Sequence, residues 1–445
     1  MTKRLIESWL PIAELGVESL RERTPMTPYP APNRLHVWWA RRPLVASRAA
    51  ILGSLLPADS DRKRFLHVLG IHGDPVGVRR QIDKSRKTGQ NLGPNPFGYD
   101  RAFKYSPDAD DREWVNGGLK ALGLSNASVL DPTSGGGSIP LESIRLGFST
   151  FANDLNPVAV TAQQATFMLP LKHGAALASE FDRISRRFLA MVSPKLQSVF
   201  PAEANGEQVL GYLWTRTIRC PHCEAVVPLS PNWRLAPDGT GVRLLPVKGR
   251  GPGDRSRHIQ YELVSSIKEQ SAGTVSGGDA TCPMEDCDRL ISGDFIKSEA
   301  QAGRMGEQLY GVVLRTKTLK VTKSGRARET WGRTFRAPRH EDDVAHVVDR
   351  LLGERGAEWE ALDIIPSEAI GELSNYDRGH RMYGMYRWTD MFSPRQLFGH
   401  AIGVETLRAL LSEESVESKS PELTKAAFLY LAMVIDKFLG LTQKP

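Results

Sequence analysis

The residues best placed to do chemistry surround a glycine cluster in the first half of the chain. The short aliphatic run Ser128–Leu130 ends in Asp131, the cluster Gly135–Gly137 follows, and residues 139–146 are typical of a helix. A strand, a tight turn and a helix in this order predict a ligand site, because glycines let the backbone bend sharply and approach a ligand closely.

A second acid completes this predicted site. The run Phe148–Ala152 reads as another strand and is followed by Asn153 and Asp154. An acid about 20 residues past a glycine turn commonly hydrogen-bonds a ribose hydroxyl in nucleotide-binding sheets. We therefore expect Asp131 and Asp154 at the carboxyl ends of neighbouring parallel strands, facing one crevice.

The position of Asp131 before the glycines bears on the kind of ligand. In dinucleotide sites the phosphates occupy the helix N-terminus, and an acid there would repel them. S-adenosylmethionine carries an ammonium and a sulfonium, so its charge complements Asp131. A glycine-rich turn alone also suits a nicotinamide enzyme or a packing requirement, and these alternatives stay open.

The four cysteines of the chain form two close pairs, which predicts a metal site. Cys220 and Cys223 have the spacing C-x2-C, and Cys282 and Cys287 have the spacing C-x4-C. In an intracellular chain such pairs favour a metal over disulfides, and four thiolates supply the closed tetrahedral shell of a structural Zn²⁺. His222 is expected to be a bystander. The alternative is four unrelated buried cysteines.

Two further stretches combine aromatic and cationic residues. Trp38 and Trp39 precede Arg41 and Arg42, either as a buried tryptophan pair or as a segment that grips a carboxylate or phosphate. Residues 315–339 contain nine Lys or Arg and one acid, with Trp331 and Phe335 between them. The second stretch suits phosphate contacts and base stacking, or is a solvated face. The net charge of +7 agrees with an anionic partner.

The elements that carry these residues predict an α/β protein of several domains. No apolar run is long enough for a membrane span and the N-terminus lacks a signal-peptide pattern, so we expect a cytoplasmic protein. Five segments are predicted: an N-terminal cofactor-gripping helical segment (1–56), an irregular loop-rich insertion (57–110), a Rossmann-like core (111–200), a zinc-ribbon and basic module (210–340) and a helical C-terminal region (341–445).

Several islands of the sequence resemble one family. Residues 131–142 and 154–159 look like the cofactor motifs of amino-group DNA methyltransferases. Residues 35–43, 214–223 and 392–397 make this resemblance specific to one group of these enzymes. Together they resemble bacterial adenine-specific DNA methylases with an embedded zinc ribbon, found in restriction-modification and phage-defence neighbourhoods. The resemblance implies a Rossmann-like methyltransferase sheet, an S-adenosylmethionine cofactor, a structural zinc ion and DNA as partner.

The resemblance also implies site residues. Asp154 would bind the cofactor ribose, and the segment 38–42 would contact the methionine end. The full set of cofactor residues that it implies is Asp131, Pro132, Thr133, Gly135, Gly137, Asp154, Asn156, Trp39 and Arg41.

The catalytic motif of that family is not found in this sequence. Adenine methylases hold the flipped base with a D/N/S-P-P-Y/F motif, and the sequence contains no Pro-Pro dipeptide. The nearest candidate catalytic residues are Asn95, Pro96 and Phe97, which precede the glycine turn. We therefore expect an incomplete methyltransferase sheet, in an N-terminal portion of a larger enzyme or in one half of a split enzyme whose second polypeptide carries the motif.

Two other functions are compatible with the same residues. A non-catalytic zinc-ribbon subunit with a vestigial nucleotide fold would bind nucleic acid without a cofactor. An RNA or protein methyltransferase would share the cofactor site and differ only in the acceptor.

Overall fold

The computed structural model describes residues 3–24, 30, 35–124, 127–203, 206–251, 253–321, 327–371 and 378–442. The chain is mixed α/β, about 48% helical and 18% strand. It divides into two compact units, Met1–Phe188 with Leu407–Gly440, and Leu189–Thr406 with Leu441–Pro445. Candidate cofactor residues lie in the first unit and the cysteines in the second.

The described helices, numbered in chain order, are α1 (Ile12–Arg23), α2 (Leu44–Leu55), α3 (Arg62–Leu69), α4 (Pro75–Thr88), α5 (Ala109–Ala121), α6 (Ser138–Arg145), α7 (Pro157–Gln163), α8 (Leu169–His173), α9 (Ala175–Leu196), α10 (Gly293–Gln301), α11 (Ala345–Ala361), α12 (Arg378–Met382), α13 (Pro394–Glu417) and α14 (Pro421–Thr442). The helices α11 to α14 confirm the predicted helical C-terminal region.

The described strands are β1 (Ser128–Asp131), β2 (Ser149–Ala152), β3 (Gln208–Arg219), β4 (Val226–Leu229), β5 (Gly241–Val247), β6 (His258–Val264), β7 (Val275–Ser276), β8 (Asp279–Thr281), β9 (Leu290–Ile291), β10 (Gly306–Val321) and β11 (Ala327–Arg336). They form four separate sheets within the described residues.

The first unit contains the parallel pair β1 and β2. Ser128 pairs with Ser149 and Asp131 with Ala152, which confirms the prediction of neighbouring parallel strands. The hydrophobic core of this unit forms around α2, whose Leu52 is fully buried beside Phe65 and Val68 of α3. Val129 of β1 packs against the same core.

The prediction of an irregular insertion at 57–110 is wrong for Arg62–Leu69 and Pro75–Thr88, which form the helices α3 and α4. Asp61 caps α3 by accepting hydrogen bonds from two backbone N–H groups, and Gly70 ends it at a φ of +81°. Asp74 caps α4, where Pro75 occupies the first turn. Residues typical of loops are here helix caps, because the same side chains suit both roles.

The second unit is built on an antiparallel sheet with strand order β11-β10-β3-β4. The hairpin β5–β6 and the small sheet β7-β8-β9 complete the strands of this unit, and their buried residues form one core with the four cysteines. Trp233 and Met284 are almost fully buried in that core. None of the described helices combines the length and the apolar composition that a membrane span requires.

Candidate functional site

The glycine turn brings together Asp131 and Asp154, the two acids of the predicted ligand site. Asp131 ends β1, and Gly135 adopts a φ of +51° in the turn that leads to α6. The Gly135 N–H donates to Asp154 Oδ2 at 2.7 Å, and the Asn156 N–H donates to Asp154 Oδ1 at 2.9 Å. These two backbone donors, Asn156 first, lower the pKa of the Asp154 carboxyl.

A cavity of about 370 Å³ lies against this turn. It is framed on one side by the segment that precedes α2 and on the other by the ends of β1 and β2. Its lining residues are Trp38, Ala40, Arg41, Arg42, Asp131, Thr133, Ser134, Gly135, Gly136, Ser138, Ile139 and Asp154. Five of the expected cofactor residues therefore line one cavity: Arg41, Asp131, Thr133, Gly135 and Asp154.

Asp131 is the buried anionic group of this cavity. Its residue is 9% exposed, and its Oδ1 accepts a hydrogen bond from the Thr133 N–H at 3.2 Å. Among the described residues, Asp131 Oδ2 has no hydrogen-bond partner. A carboxylate that is largely buried at a cavity wall and has an oxygen without a protein partner favours a ligand that brings a positive charge or a hydrogen-bond donor.

Trp38 covers the glycine turn. A Cβ atom added at Gly135 would lie 2.7 Å from Trp38 Nε1, and one added at Gly136 would lie 2.9 Å from Trp38 Cβ. The neighbouring Trp39 stacks on Trp38 with ring centroids 4.5 Å apart, is 76% exposed and does not line the cavity. The two indoles therefore do not form a buried pair, and Trp38 rather than Trp39 lines the cavity.

Arg41 is held by an acid that sequence reasoning missed. Arg41 Nη1 pairs with Glu22 Oε1, and the Glu22 carboxylate also accepts the Leu44 N–H at 2.9 Å, at the start of α2. Glu22 is 3% exposed on α1. No local pattern marks Glu22, because its partners lie about twenty residues later in the chain.

Three of the expected cofactor residues lie near the turn without lining the cavity: Pro132, Gly137 and Asn156. At Gly137, an added Cβ would lie 2.8 Å from Phe167 Cε1, so this glycine serves close packing. Asn156 caps α7 by accepting the Val158 N–H at 2.9 Å. Pro132 accepts a hydrogen bond from Asn153 Nδ2 at 3.2 Å. These residues shape the turn.

Gln163 is a second positioning residue that the sequence did not reveal. Its buried side-chain amide donates to Ser134 Oγ and to the Gly135 carbonyl oxygen, both at 2.8 Å. Gln163 ends α7, immediately before the π-helical turn Gln164–Met168. A glutamine at a helix end has no distinguishing sequence signal.

The candidate catalytic residues lie in a different cavity of the first unit. Asn95, Pro96 and Phe97 line a cavity of about 340 Å³ that shares no lining residue with the cavity of the glycine turn. The Arg21 guanidinium lies 3.7 Å from the centre of the Phe97 ring. The structure does not bring these three residues to the cavity that contains Asp131.

The four cysteines converge, and they could hold a metal ion. Their Sγ atoms all lie within 4.8 Å of one another, with 3.8 Å between Cys220 and Cys287 and 3.7 Å between Cys223 and Cys282. A tetrahedron of thiolates with metal–sulfur bonds of about 2.3 Å has edges of roughly 3.8 Å. The hydrogen bond from Cys282, supported by backbone N–H donors, lowers the pKa of the Cys220 thiol.

Tight turns aim the thiols at one point. Glu224 and Asp288, each directly after a cysteine pair, have positive φ angles of 61° and 43°. His222 lies outside the cluster, with its Nε2 atom 3.2 Å from the Leu290 carbonyl oxygen.

Comparison with known proteins gives one match. Residues 9–67 match a family model described as "Protein of unknown function (DUF1156)". No curated protein and no solved structure matches the chain. The matched region includes Glu22, Trp38 and Arg41, so the segment that frames one side of the cavity is similar to this family of unknown function.

Proposed function

We propose that the chain binds S-adenosylmethionine in the cavity of the glycine turn and is the cofactor-binding and DNA-recognition part of an adenine-N6 DNA methyltransferase. The observation that carries this proposal is the buried Asp131 carboxylate, which lines the cavity and has one oxygen without a partner among the described residues. The methionine end of the cofactor supplies an ammonium and a sulfonium for this anion.

The remaining lining residues suit the other parts of the same ligand. Asp154 retains lone pairs for a ribose hydroxyl, because each of its oxygens accepts one backbone hydrogen bond. Trp38 offers an aromatic surface, and the cavity volume lies in the range of small-molecule sites. In this proposal β1 and β2 belong to a Rossmann-like sheet.

The acceptor motif belongs to another polypeptide segment in this proposal. The sequence contains no Pro-Pro dipeptide, and Asn95, Pro96 and Phe97 do not line the cofactor cavity. The parallel pair β1–β2 leaves Leu130 67% and Phe151 61% exposed. Parallel sheets are normally covered on both faces, so further elements of a methyltransferase sheet would cover this surface.

Calorimetric titration with S-adenosylmethionine tests the cofactor site. The unaltered chain should bind the cofactor, and Asp131→Asn should weaken binding by tenfold or more, because a hydrogen bond to a charged group contributes about 1.5–3 kcal/mol. The control is Asp110→Asn, an exposed acid on α5. No heat of binding at millimolar cofactor, or equal affinity in the Asp131 variant, would contradict the proposal.

A methylation assay tests the missing acceptor motif. The chain alone should transfer no methyl group to DNA, and addition of the polypeptide that carries a D-P-P-Y-type motif should restore transfer to adenine N6. Transfer to DNA by the chain alone would show that the acceptor site is complete without a partner.

We infer that the cysteine cluster holds a structural Zn²⁺, because four thiolates leave no open coordination position for catalysis. Elemental analysis should find about one zinc ion per chain, and Cys282→Ser should lose it. Chelation should lower the melting temperature of the unaltered chain, since the buried cysteines belong to the core of the second unit. Iron in place of zinc would contradict the inference.

A second candidate function is favoured by the absent Pro-Pro motif. A non-catalytic zinc-ribbon subunit would bind DNA in a salt-sensitive way, would be insensitive to Asp131→Asn and would show no cofactor heat. An RNA methyltransferase would bind the cofactor equally well and differ only in the acceptor that it modifies.

A further inference from the structure

The hairpin β10–β11 extends beyond the sheet to which it belongs. β10 pairs with β3 from Gly306 to Arg315 and with β11 from Val312 to Val321. Residues 316–321 therefore pair with β11 alone, as a two-stranded ribbon. At about 3.4 Å per residue, this ribbon is roughly 20 Å long. Of the basic run 315–339, residues 322–326 lie outside the described residues.

The two faces of the hairpin differ in burial. Val312, Leu314 and Thr316 alternate along β10 and are buried. On the opposite side of the strand, Val313 is half-buried and Arg315 and Lys317 are exposed, because successive side chains of a strand point to opposite faces. One face of the hairpin is therefore packed and the other faces solvent.

Cations and an aromatic ring are neighbours on the solvent face. Register places Arg315 opposite Arg333 and Lys317 opposite Trp331. Directly opposed residues in a β-ladder share a face, so these four side chains form one surface. We call the set Arg315, Lys317, Trp331 and Arg333 the cationic–aromatic face.

The geometry of this face leaves the indole accessible. Trp331 is 43% exposed, with the Arg315 guanidinium carbon 4.5 Å and the Lys317 ammonium nitrogen 5.7 Å from its ring centre. One acid lies beside them, Glu329, whose carboxylate is 3.3 Å from Lys317. Three cations against one acid leave a positive surface around an exposed ring.

We propose that the cationic–aromatic face binds a DNA strand, with phosphates contacting the three cations and an unpaired base stacking on Trp331. This inference rests on the proposed function and names its DNA-docking surface. Positive charge is complementary to the phosphate backbone, and base–aromatic stacking is the usual addition at single-stranded sites. Duplex bases stack on one another, so an indole on a flat ribbon reaches only a base that is unpaired or extruded.

Fluorescence anisotropy with a labelled single-stranded DNA oligonucleotide tests the proposal on the full chain. Trp331→Ala should weaken binding by about tenfold, from the loss of one stacked base. The triple variant Arg315→Gln, Lys317→Gln, Arg333→Gln should lower the slope of log affinity against log salt by up to about 0.7 per lost phosphate contact. The unaltered chain should prefer the single strand to the matching duplex.

Matched controls separate this face from general charge and from exposed tryptophans. Arg80→Gln, Lys84→Gln, Lys87→Gln removes the same number of charges from the exposed side of α4, and Trp388→Ala removes an indole that is 40% exposed. Neither should change the affinity beyond twofold. An equal loss in the α4 triple variant, or unchanged binding by Trp331→Ala, would overturn the proposal.

Four further measurements separate loss of the stacking contact from misfolding, from RNA binding and from failure of the cofactor site. Trp331→Phe keeps an aromatic ring and should retain most of the affinity, whereas a hairpin that simply misfolds would lose it in both Trp331 variants and lose near-ultraviolet dichroism. Tighter binding of RNA of the same sequence would also overturn the proposal. Cofactor calorimetry on Trp331→Ala should match the unaltered chain, so failure of the cofactor site and failure of the docking surface are distinguishable.

Discussion

Gly135 is subject to two separate constraints at the level of single atoms. Its φ of +51° is in the left-handed region, which side chains other than hydrogen disfavour. The Trp38 indole also occupies the space where a Cβ would lie. The first constraint concerns the backbone of the turn, and the second concerns the residue that covers the cavity.

Comparing the alanine variants of Gly135 and Gly123 separates the backbone constraint from the steric constraint. Gly123 has a φ of +73° with nothing within 4 Å of an added Cβ. Gly123→Ala should cost about 1–2 kcal/mol of unfolding free energy through the backbone alone. Gly135→Ala should cost more and should weaken cofactor binding by over tenfold, because Trp38 must move. Urea unfolding and calorimetry measure the two effects; cofactor affinity that is equal in both variants would contradict this assignment.

His400 predicts a pH dependence of stability. Burial lowers the pKa of the His400 imidazole below its ordinary value of 6.5, because the folded chain disfavours the charged form. The unfolded chain therefore binds the proton at higher pH than the folded chain does. The stabilising contribution is complete above about pH 6.5 and is lost as the pH falls through 6.5 toward the lower folded value. His400→Gln should flatten the pH profile of unfolding free energy over this window.

The control for His400 is His346→Gln, which replaces an exposed histidine on α11. The control variant should keep the slope of the unaltered chain. A slope that persists in His400→Gln would assign the pH dependence to another group.

An ion triad joins α2 and α6, the helices that follow the two segments lining the candidate cavity. Arg48 of α2 donates through Nε to Glu142 of α6 at 2.5 Å, and both side chains are 0% exposed. Arg145 donates to the other oxygen of Glu142 at 2.7 Å. Arg48 also donates to the carbonyl oxygens of Val68 and Tyr105. α2 follows the segment with Trp38, and α6 follows the glycine turn, so the triad fixes both lining segments.

Glu142→Ala should destabilise the chain by about 3–5 kcal/mol, because it leaves the buried Arg48 and the half-buried Arg145 guanidinium groups without their carboxylate. Glu113→Ala, at an exposed position on α5, should change stability by less than about 0.5 kcal/mol. Chemical denaturation measures both. A loss below 1 kcal/mol for Glu142→Ala would mean that water or another acid compensates the arginines.

At the level of elements, sequence signals worked where the cause is local. The glycine cluster predicted the turn before α6, and the two short runs beside it predicted the neighbouring parallel strands β1 and β2. The same reasoning failed for α3 and α4, because the predicted loop-rich segment 57–110 includes the helix-capping residues Asp61, Gly70 and Asp74. These residues are caps, and only the burial of the intervening apolar residues distinguishes the two roles.

Site residues, like helices and strands, were predictable from the sequence only where the signal is local. The spacing of the cysteine pairs indicated a shared cluster, and the glycine turn indicated where Asp131 and Asp154 would meet. The roles of Glu22 and Gln163 depend on contacts between distant segments, which no spacing reveals. Choosing between Trp38 and Trp39 required the direction of each side chain at the end of an irregular segment.

The first unit exposes an apolar surface around its parallel strands. Leu130 and Phe151 are register partners on β1 and β2, and Leu155, just beyond β2, is 99% exposed. Contiguous exposed apolar side chains mark interaction surfaces. Under the proposed function, this surface receives the polypeptide segment that completes the methyltransferase.

Phe151→Asp should weaken association with that polypeptide by at least tenfold and reduce self-association of the chain alone, because a charge replaces the centre of the apolar surface. Val416→Asp, at an isolated position that is 87% exposed on α13, is the control and should change neither. Light scattering and analytical ultracentrifugation measure the two associations. Equal behaviour of the two variants would exclude this surface as the contact.

If the proposed cofactor site is correct, the backbone hydrogen bonds to Asp154 also limit proton exchange on ligand binding. Two N–H donors lower the pKa of this carboxyl, so it is ionised and oriented before any ligand arrives. Under the proposed function, a ribose hydroxyl would meet an acceptor that needs neither to release a proton nor to reorient. Between about pH 6 and 9, Asp154 should therefore add no inflection to the profile of cofactor affinity against pH, as calorimetry across that range would measure.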